Sequence, residues 1–191
     1  MTLVKKIREK FKNALTFTTR DVCLFLGKAT NKKYVELLMY NFVKKGEVHR
    51  ITKGTYTFRE EMQLVGQAFQ PSYYGLQDAL SLHGLWEQET NPVIITPRKV
   101  RPGIREFLGN NYLVKRINRR MFFGFELLKY ADFWINTSDV EKTLIDMAYF
   151  KQYLDQKTLE EIRKKIDQKK MADYLKKCPK HVKKKVEKMM K

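Results

Sequence analysis

Residues 17–58, FTTRDVCLFLGKATNKKYVELLMYNFVKKGEVHRITKGTYTF, carry the reading that decides the fold. Thr18-Thr19 offers an N-cap ahead of Arg20-Asp21-Val22-Cys23-Leu24-Phe25-Leu26, a short helix whose apolar residues, Cys23 among them, face a small core. Gly27 can take the positive φ that stops a helix, so Gly27-Lys28-Ala29-Thr30 reads as a turn. Thr30 or Asn31 then caps a second helix from Lys32 to Lys45. Its Val35, Leu38, Met39 and Phe42 recur at i, i+3, i+4 and i+7 as one apolar stripe, and Gly46 follows as a C′ glycine. Glu47-Val48-His49-Arg50-Ile51, Thr52-Lys53-Gly54 and Thr55-Tyr56-Thr57-Phe58 read as strand, tight turn and strand. Short helix, glycine turn, longer helix and basic-tipped hairpin, in that order, predict a winged helix-turn-helix.

Outward from this stretch, Leu3, Val4, Ile7, Phe11 and Leu15 predict an amphipathic helix over 3–15. Residues 60–69 read as a connecting helix or linker, broken at Gln70-Pro71-Ser72. Residues 74–83 read as a short helix stopped by Gly84, and Pro92-Val93-Ile94-Ile95-Thr96-Pro97 as a buried strand. Residues 98–109 read as a basic loop with room for a short helix. Strands are expected over 112–117, 121–125 and 133–135, with Asn118-Arg119-Arg120 as the turn between the first two. Ser138-Asp139-Val140-Glu141 fits a capping box that opens a helix lined by Val140, Leu144, Ile145, Met147 and Ala148. Helices over 159–169, 171–177 and 182–190 follow, the last two separated by Pro179. The expected fold class is α+β. A winged helix-turn-helix occupies 1–60, and a small mixed domain spans 70–191, with a sheet over 70–136 and a C-terminal helical bundle over 138–191.

The net charge of +18 is unevenly spread. Residues 1–60 hold 14 Lys/Arg and 5 Asp/Glu, residues 61–150 hold 10 and 10, and residues 151–191 hold 15 and 6. Basic ends attract polyanions through counterion release, independent of sequence. The lysine-rich tail reads equally as a solvated helical surface. No apolar run approaches the roughly 18 residues a membrane span needs, and residues 1–6 lack an apolar signal core. Cys23 and Cys178 make no disulfide framework, so a cytoplasmic protein in a reducing interior is expected.

The candidate site follows from the reading head. The N-terminal part of a recognition helix enters the major groove, which nominates Thr30, Asn31, Lys32 and Lys33 for base or phosphate contacts. Asn31 has two readings, helix cap or adenine reader. Tyr34 and Lys44 suit phosphates; Arg50, Thr52 and Lys53 on the wing suit backbone or minor groove; Arg20 suits a phosphate near the first motif helix. His83, beside Gly84, reads as a helix-end histidine bonding nearby backbone. Asp139, Glu141 and Asp146 raise a paired-carboxylate reading, but Glu141 fits the capping box and Asp146 suits a nearby base. With no ligand-spaced cluster, phosphate loop or nucleophile elbow, no metal, cofactor or catalytic residue is expected.

Further along the chain, Tyr73-Tyr74-Gly75-Leu76-Gln77-Asp78-Ala79-Leu80-Ser81-Leu82-His83-Gly84-Leu85 resembles a segment of AbiEi-type antitoxins of type IV toxin–antitoxin systems. Residues 92–98 are similar to the strand that follows it there. Val140-Glu141-Lys142-Thr143-Leu144-Ile145-Asp146-Met147 resembles the family's helix near the end of its sheet, and residues 50–56 its wing. The matches run in order over roughly 15–150. Asp78 stands where a serine is commoner, and the very basic tail is a further departure. The resemblance implies an operon repressor that counters a co-encoded nucleotidyltransferase-like toxin. The expectation is therefore a regulator of double-stranded operator DNA with that toxin as partner and no membrane role, its oligomeric state left open. The alternatives are a nuclease-type enzyme targeted by its winged helix and an architectural DNA binder.

Overall fold

The computed structural model describes residues 2–27 and 30–191 and resolves the chain into two compact units. The first comprises Met1–Ala68 with Glu106–Asn110; the second comprises Phe69–Arg105 with Asn111–Lys191.

In the first unit, Thr2 caps α1 (Leu3–Phe11), which buries Ile7 and Phe11. Strand β1 (Phe17–Thr18) runs directly into α2 (Thr19–Leu26). Thr18 closes a reciprocal capping box: its hydroxyl accepts the Asp21 amide at 3.2 Å and the Asp21 carboxylate accepts the Thr18 amide at 2.7 Å. Gly27, at φ 104°, ends α2 as its sequence position predicts. The middle of the predicted turn, Lys28-Ala29, lies outside the described residues. Helix α3 (Lys32–Lys44) is capped by Asn31, then β2 (His49–Thr52) and β3 (Thr55–Thr57) form the wing. The strands order as β1-β3-β2, all antiparallel, with Phe17 and Arg50 flanking Tyr56. Ile7, Phe11, Phe17, Val22, Val35, Met39, Phe42, Val48 and Tyr56 make one core. Phe17 stacks on Phe11 and Phe58 with ring centroids 4.8 and 5.3 Å apart. Three helices and a three-stranded sheet in this order are a winged helix-turn-helix. The short β1 leaves no mark in the sequence, because two residues carry no periodicity; its partner β3 makes it a strand.

The expected connecting helix is a 3-10 helix, Met62–Phe69. A six-stranded mixed sheet of order β6-β7-β5-β4-β9-β8 follows, all of it in the second unit except the ends of β6 and β7 that fall within Glu106–Asn110. Its members are β4 (Tyr73–Tyr74), β5 (Val93–Thr96), β6 (Gly103–Phe107), β7 (Asn110–Arg116), β8 (Phe125–Tyr130) and β9 (Phe133–Ser138). β4 lies antiparallel to β5 and parallel to β9, and β5 lies parallel to β7. Three expectations are corrected here. The segment read as a helix from residue 74 opens instead as β4, with α4 confined to Leu76–Leu82. The basic loop contains edge strand β6, whose Ile104 is exposed, so no buried alternation marked it. The run at 121–125 is not a strand: Asn118 caps a 3-10 turn (Arg119–Met121) and the chain becomes extended only at Phe125. Its aromatic residues, Phe122 and Phe123, pack on the helical core instead.

Helix α5 (Val140–Tyr149) is buried from Glu141 through Ala148. It packs against α4, α6 (Gln156–Lys165), α7 (Gln168–Lys177) and α8 (Lys180–Met189). Here too one local expectation shifts. The N-cap is Asp139, which accepts the Lys142 amide at 2.8 Å, and not Ser138. Ser138 still belongs to β9, and its hydroxyl is spent on Thr143 and the Tyr74 carbonyl. The tail forms three helices as expected, but the segment read as one helix over 159–169 breaks at Ile166-Asp167, where Asp167 caps α7; Val182 and Val186 are fully buried and most lysines point outward. No described helix is long and apolar enough to cross a membrane.

Candidate functional site

Helix α3 divides its residues between two faces. Val35, Met39 and Phe42 point into the core. Lys33, Leu37, Tyr40 and Lys44, at i, i+4, i+7 and i+11, are exposed. Leu37 and Tyr40 are 59% and 58% exposed, so this face carries uncovered apolar surface between its cations. Beside it, within the same unit, lies a cleft of about 490 Å³ lined by Thr19, Glu36, Tyr40, Val43, Lys44, Arg50, Lys53, Gly54 and Tyr56. Helix and wing thus bring Lys44, Arg50 and Lys53 around one concavity, with Glu36 as the one acid in its lining.

The other nominated residues divide. Lys32 is exposed at the start of α3 and meets Glu36 at 3.7 Å, an i,i+4 pair worth about 0.3–0.5 kcal/mol, which leaves its charge available. Lys33 and Tyr34 are exposed on α3, and Arg20 is exposed on α2; none of the three lines the cleft. Thr52 and Thr30 are half-buried. The Asn31 side chain caps the helix, accepting the Lys33 amide at 2.8 Å. Glu36 and Tyr40 fall off the Val35–Met39–Phe42 stripe on a helical wheel, yet only β2 and β3 beside α3 make them part of a cleft.

In the second unit the acids that suggested paired carboxylates are committed elsewhere. Lys142 and Asp146 form an ion pair with both side chains closed to solvent. Tyr73 joins them: its hydroxyl donates to Asp146 at 2.9 Å and accepts from Lys142 at 3.0 Å. Burial, with the Asp146 charge behind it, pushes the Tyr73 hydroxyl well above its usual range. Burial also pushes Asp146 up, while Lys142 opposes it. A group sealed this way joins β4 to α5 and meets no solute. A second cluster surrounds Lys170, 3.1 Å from Asp139 and 3.0 Å from Glu141. Burial disfavours its ammonium, but the bonds from Glu141 and Asp139 outweigh that and raise its pKa. Glu141 also accepts the Asp167 amide at 2.8 Å, and Tyr174 donates to Asp139 at 2.8 Å. Burial and that bond push Tyr174 up to about 12. Among the described residues no group of three or more His, Cys, Asp or Glu is placed to hold a metal ion.

His83 ends α4 with its Nε2 2.7 Å from the Ser138 carbonyl, a backbone partner 55 residues distant in sequence and not the nearby one expected, because β9 runs beside the end of α4. Asp78 is buried on α4 and accepts the Val93 amide at 3.1 Å. Burial, only partly offset by that bond, raises its pKa to about 7.

The chain shares its fold with the RV2827C protein from Mycobacterium tuberculosis. The crystal structure of that protein matches with a TM-score of 0.63 at 11% identity, over 98% of this chain and 75% of the other. No protein-family model and no curated protein matches the sequence. At that identity the likeness speaks for the architecture alone.

Proposed function

We propose that this protein is a transcription regulator that grips duplex DNA with its winged helix and acts as the antitoxin of a type IV toxin–antitoxin pair. The cleft between α3 and the wing carries the first half of the reading. It converges Lys44, Arg50 and Lys53 beside an exposed helix face of Lys33, Leu37 and Tyr40. Cations on helix and wing suit the phosphates flanking a major groove, and apolar side chains between them suit base edges such as the thymine methyl. The mechanism is occupancy: α3 enters the groove, the wing fixes the register, and polymerase is excluded from the promoter.

The antitoxin half draws support from where the family-like segments fall. Tyr73, His83, Lys142 and Asp146, from the two stretches that resemble AbiEi proteins, are tied through Ser138 and one buried ion pair. The partner so proposed is a co-encoded nucleotidyltransferase-like toxin countered by residues 70–191. The reading is tested in full-length protein with Lys44, Arg50 and Lys53 all changed to Ala. Operator binding and repression should fall, while relief of toxicity by co-expression persists. Unchanged operator affinity removes the DNA assignment, failure of the native chain to relieve any adjacent toxin removes the antitoxin one, and Mg²⁺-dependent cleavage of the duplex replaces both with a nuclease.

A further inference from the structure

The middle of the chain is neutral only in sum. Between Thr90 and Phe125 the one acid is Glu106, against eight arginines and lysines. The sheet gathers part of this charge at one edge. β5 and β7 run parallel, Thr96 pairs with Arg116 at their ends, and the Ile117 amide bonds the Thr96 carbonyl at 3.0 Å. The two chains therefore leave the sheet side by side, as Pro97-Arg98-Lys99 and Asn118-Arg119-Arg120. Their exits are braced: Thr96 Oγ1 lies 2.8 Å from the Pro71 carbonyl and accepts the Arg98 amide at 3.2 Å, while Asn118 accepts the Arg120 amide at 2.9 Å. Between them is a cleft of about 290 Å³ lined by Pro71, Pro97, Arg98, Arg119 and Phe122. Arg98 is steadied by donating to the Gln70 carbonyl at 3.3 Å. Phe122 is held from behind by Tyr73 and Phe125, at centroid distances of 5.4 and 5.0 Å.

We infer that this cleft is a binding site for single-stranded nucleic acid, with a backbone phosphate between Arg98 and Arg119 and an unstacked base against Phe122 and the prolines. Two planar guanidiniums suit a phosphate, and an aromatic wall gives a base its stacking surface. A duplex keeps its bases stacked inward, so it cannot use the ring; a free end, loop or single strand can. This site is independent of the winged helix and of the regulator reading.

The test is fluorescence anisotropy with full-length protein and labelled oligouridylate and oligothymidylate of about 12 nucleotides, within the range one single-strand module covers. A random duplex serves as the comparison. Arg119→Ala and Phe122→Leu should each weaken single-strand binding about tenfold and leave duplex binding unchanged. Arg119→Ala should also flatten the single-strand salt slope by about 0.7, and Phe122→Leu should not alter it. Lys129→Ala, which removes one charge from an exposed position on β8, is the charge-matched control for Arg119→Ala. A loss no greater than that of the control, equal losses on duplex, or no loss with Phe122→Leu at unchanged melting temperature each overturns the proposal. So does displacement of the oligonucleotide by polyglutamate but not by uridine monophosphate, which assigns the cleft to an acidic protein segment. Tighter binding of the uridylate than of the thymidylate identifies RNA as the source; the reverse identifies DNA.

Discussion

Asp78 and the Lys142–Asp146 pair show how one buried charge sets a measurable property. Folded Asp78 keeps its proton up to about pH 7, whereas the unfolded side chain releases it near 3.8. Between those values the folded state binds the extra proton, so this group's stabilisation is complete below 3.8 and is lost as pH rises through 7. Raising pH from 5 to 8 should cost the native protein roughly 2–3 kcal/mol more than Asp78→Asn, whose amide still accepts the Val93 N–H without titrating. Urea melts at both pH values check this, and identical pH dependence in the two proteins refutes it. For Lys142, replacement by Met strands a carboxylate with no exposed surface and should cost about 3–5 kcal/mol. Lys142→Met/Asp146→Leu should recover much of that loss, since two apolar groups leave no charge unpaired. A double variant no more stable than the single one contradicts the pairing. Sequence spacing made an i,i+4 partner for Asp146 legible; that Tyr73, 73 residues away, completes the group was not.

At the scale of elements, α3 and the wing act together or not at all. If Lys44, Arg50 and Lys53 each meet a phosphate, changing all three to Ala should reduce the log–log salt slope of duplex binding by about 2.7, at about 0.9 per contact. A slope within error of the native value, with far-UV circular dichroism unchanged, removes the cleft from the interface. The turn between the 3-10 segment and β8 offers a structural counterpart. Gly124 sits at φ 70°, and a Cβ there would lie 2.8 Å from the Tyr174 ring and 2.9 Å from Lys142 Cβ. Gly124→Ala should therefore destabilise by more than about 1 kcal/mol, since both the backbone conformation and the packing oppose it. A thermal melt within 1 °C or so of native argues that the turn relaxes freely.

Across the described residues most charge lies outside and most apolar surface inside, the sealed Lys142–Asp146 pair and its buried neighbours excepted. The tail helices bury Ile162, Met171, Val182 and Val186 while most of their lysines, Lys170 excepted, stay in water. Those helices should resist limited proteolysis in the intact chain, and changing Lys180, Lys184 and Lys188 to Ala should weaken random-duplex binding and lower its salt slope. Rapid tail cleavage, or equal affinity after neutralisation, contradicts the respective half. Local chemistry settled what depends on neighbours within a turn or two. The Thr18 cap, the Gly27 stop, the α3 stripe of Val35, Met39 and Phe42, and the Thr52–Gly54 hairpin turn are all short-range, so they are written in consecutive residues. The sequence likewise determined the +18 charge and its weighting to the ends. Tertiary structure decided what depends on distant partners. β1, β4 and β6 are strands because of the strands beside them, and Asp139 displaces Ser138 as cap because Ser138 is held in the sheet by Tyr74 and Thr143. The parallel pairing of β5 and β7 alone brings Arg98 and Arg119 to one cleft, because sheet pairing joins residues whose separation along the chain leaves no periodic trace.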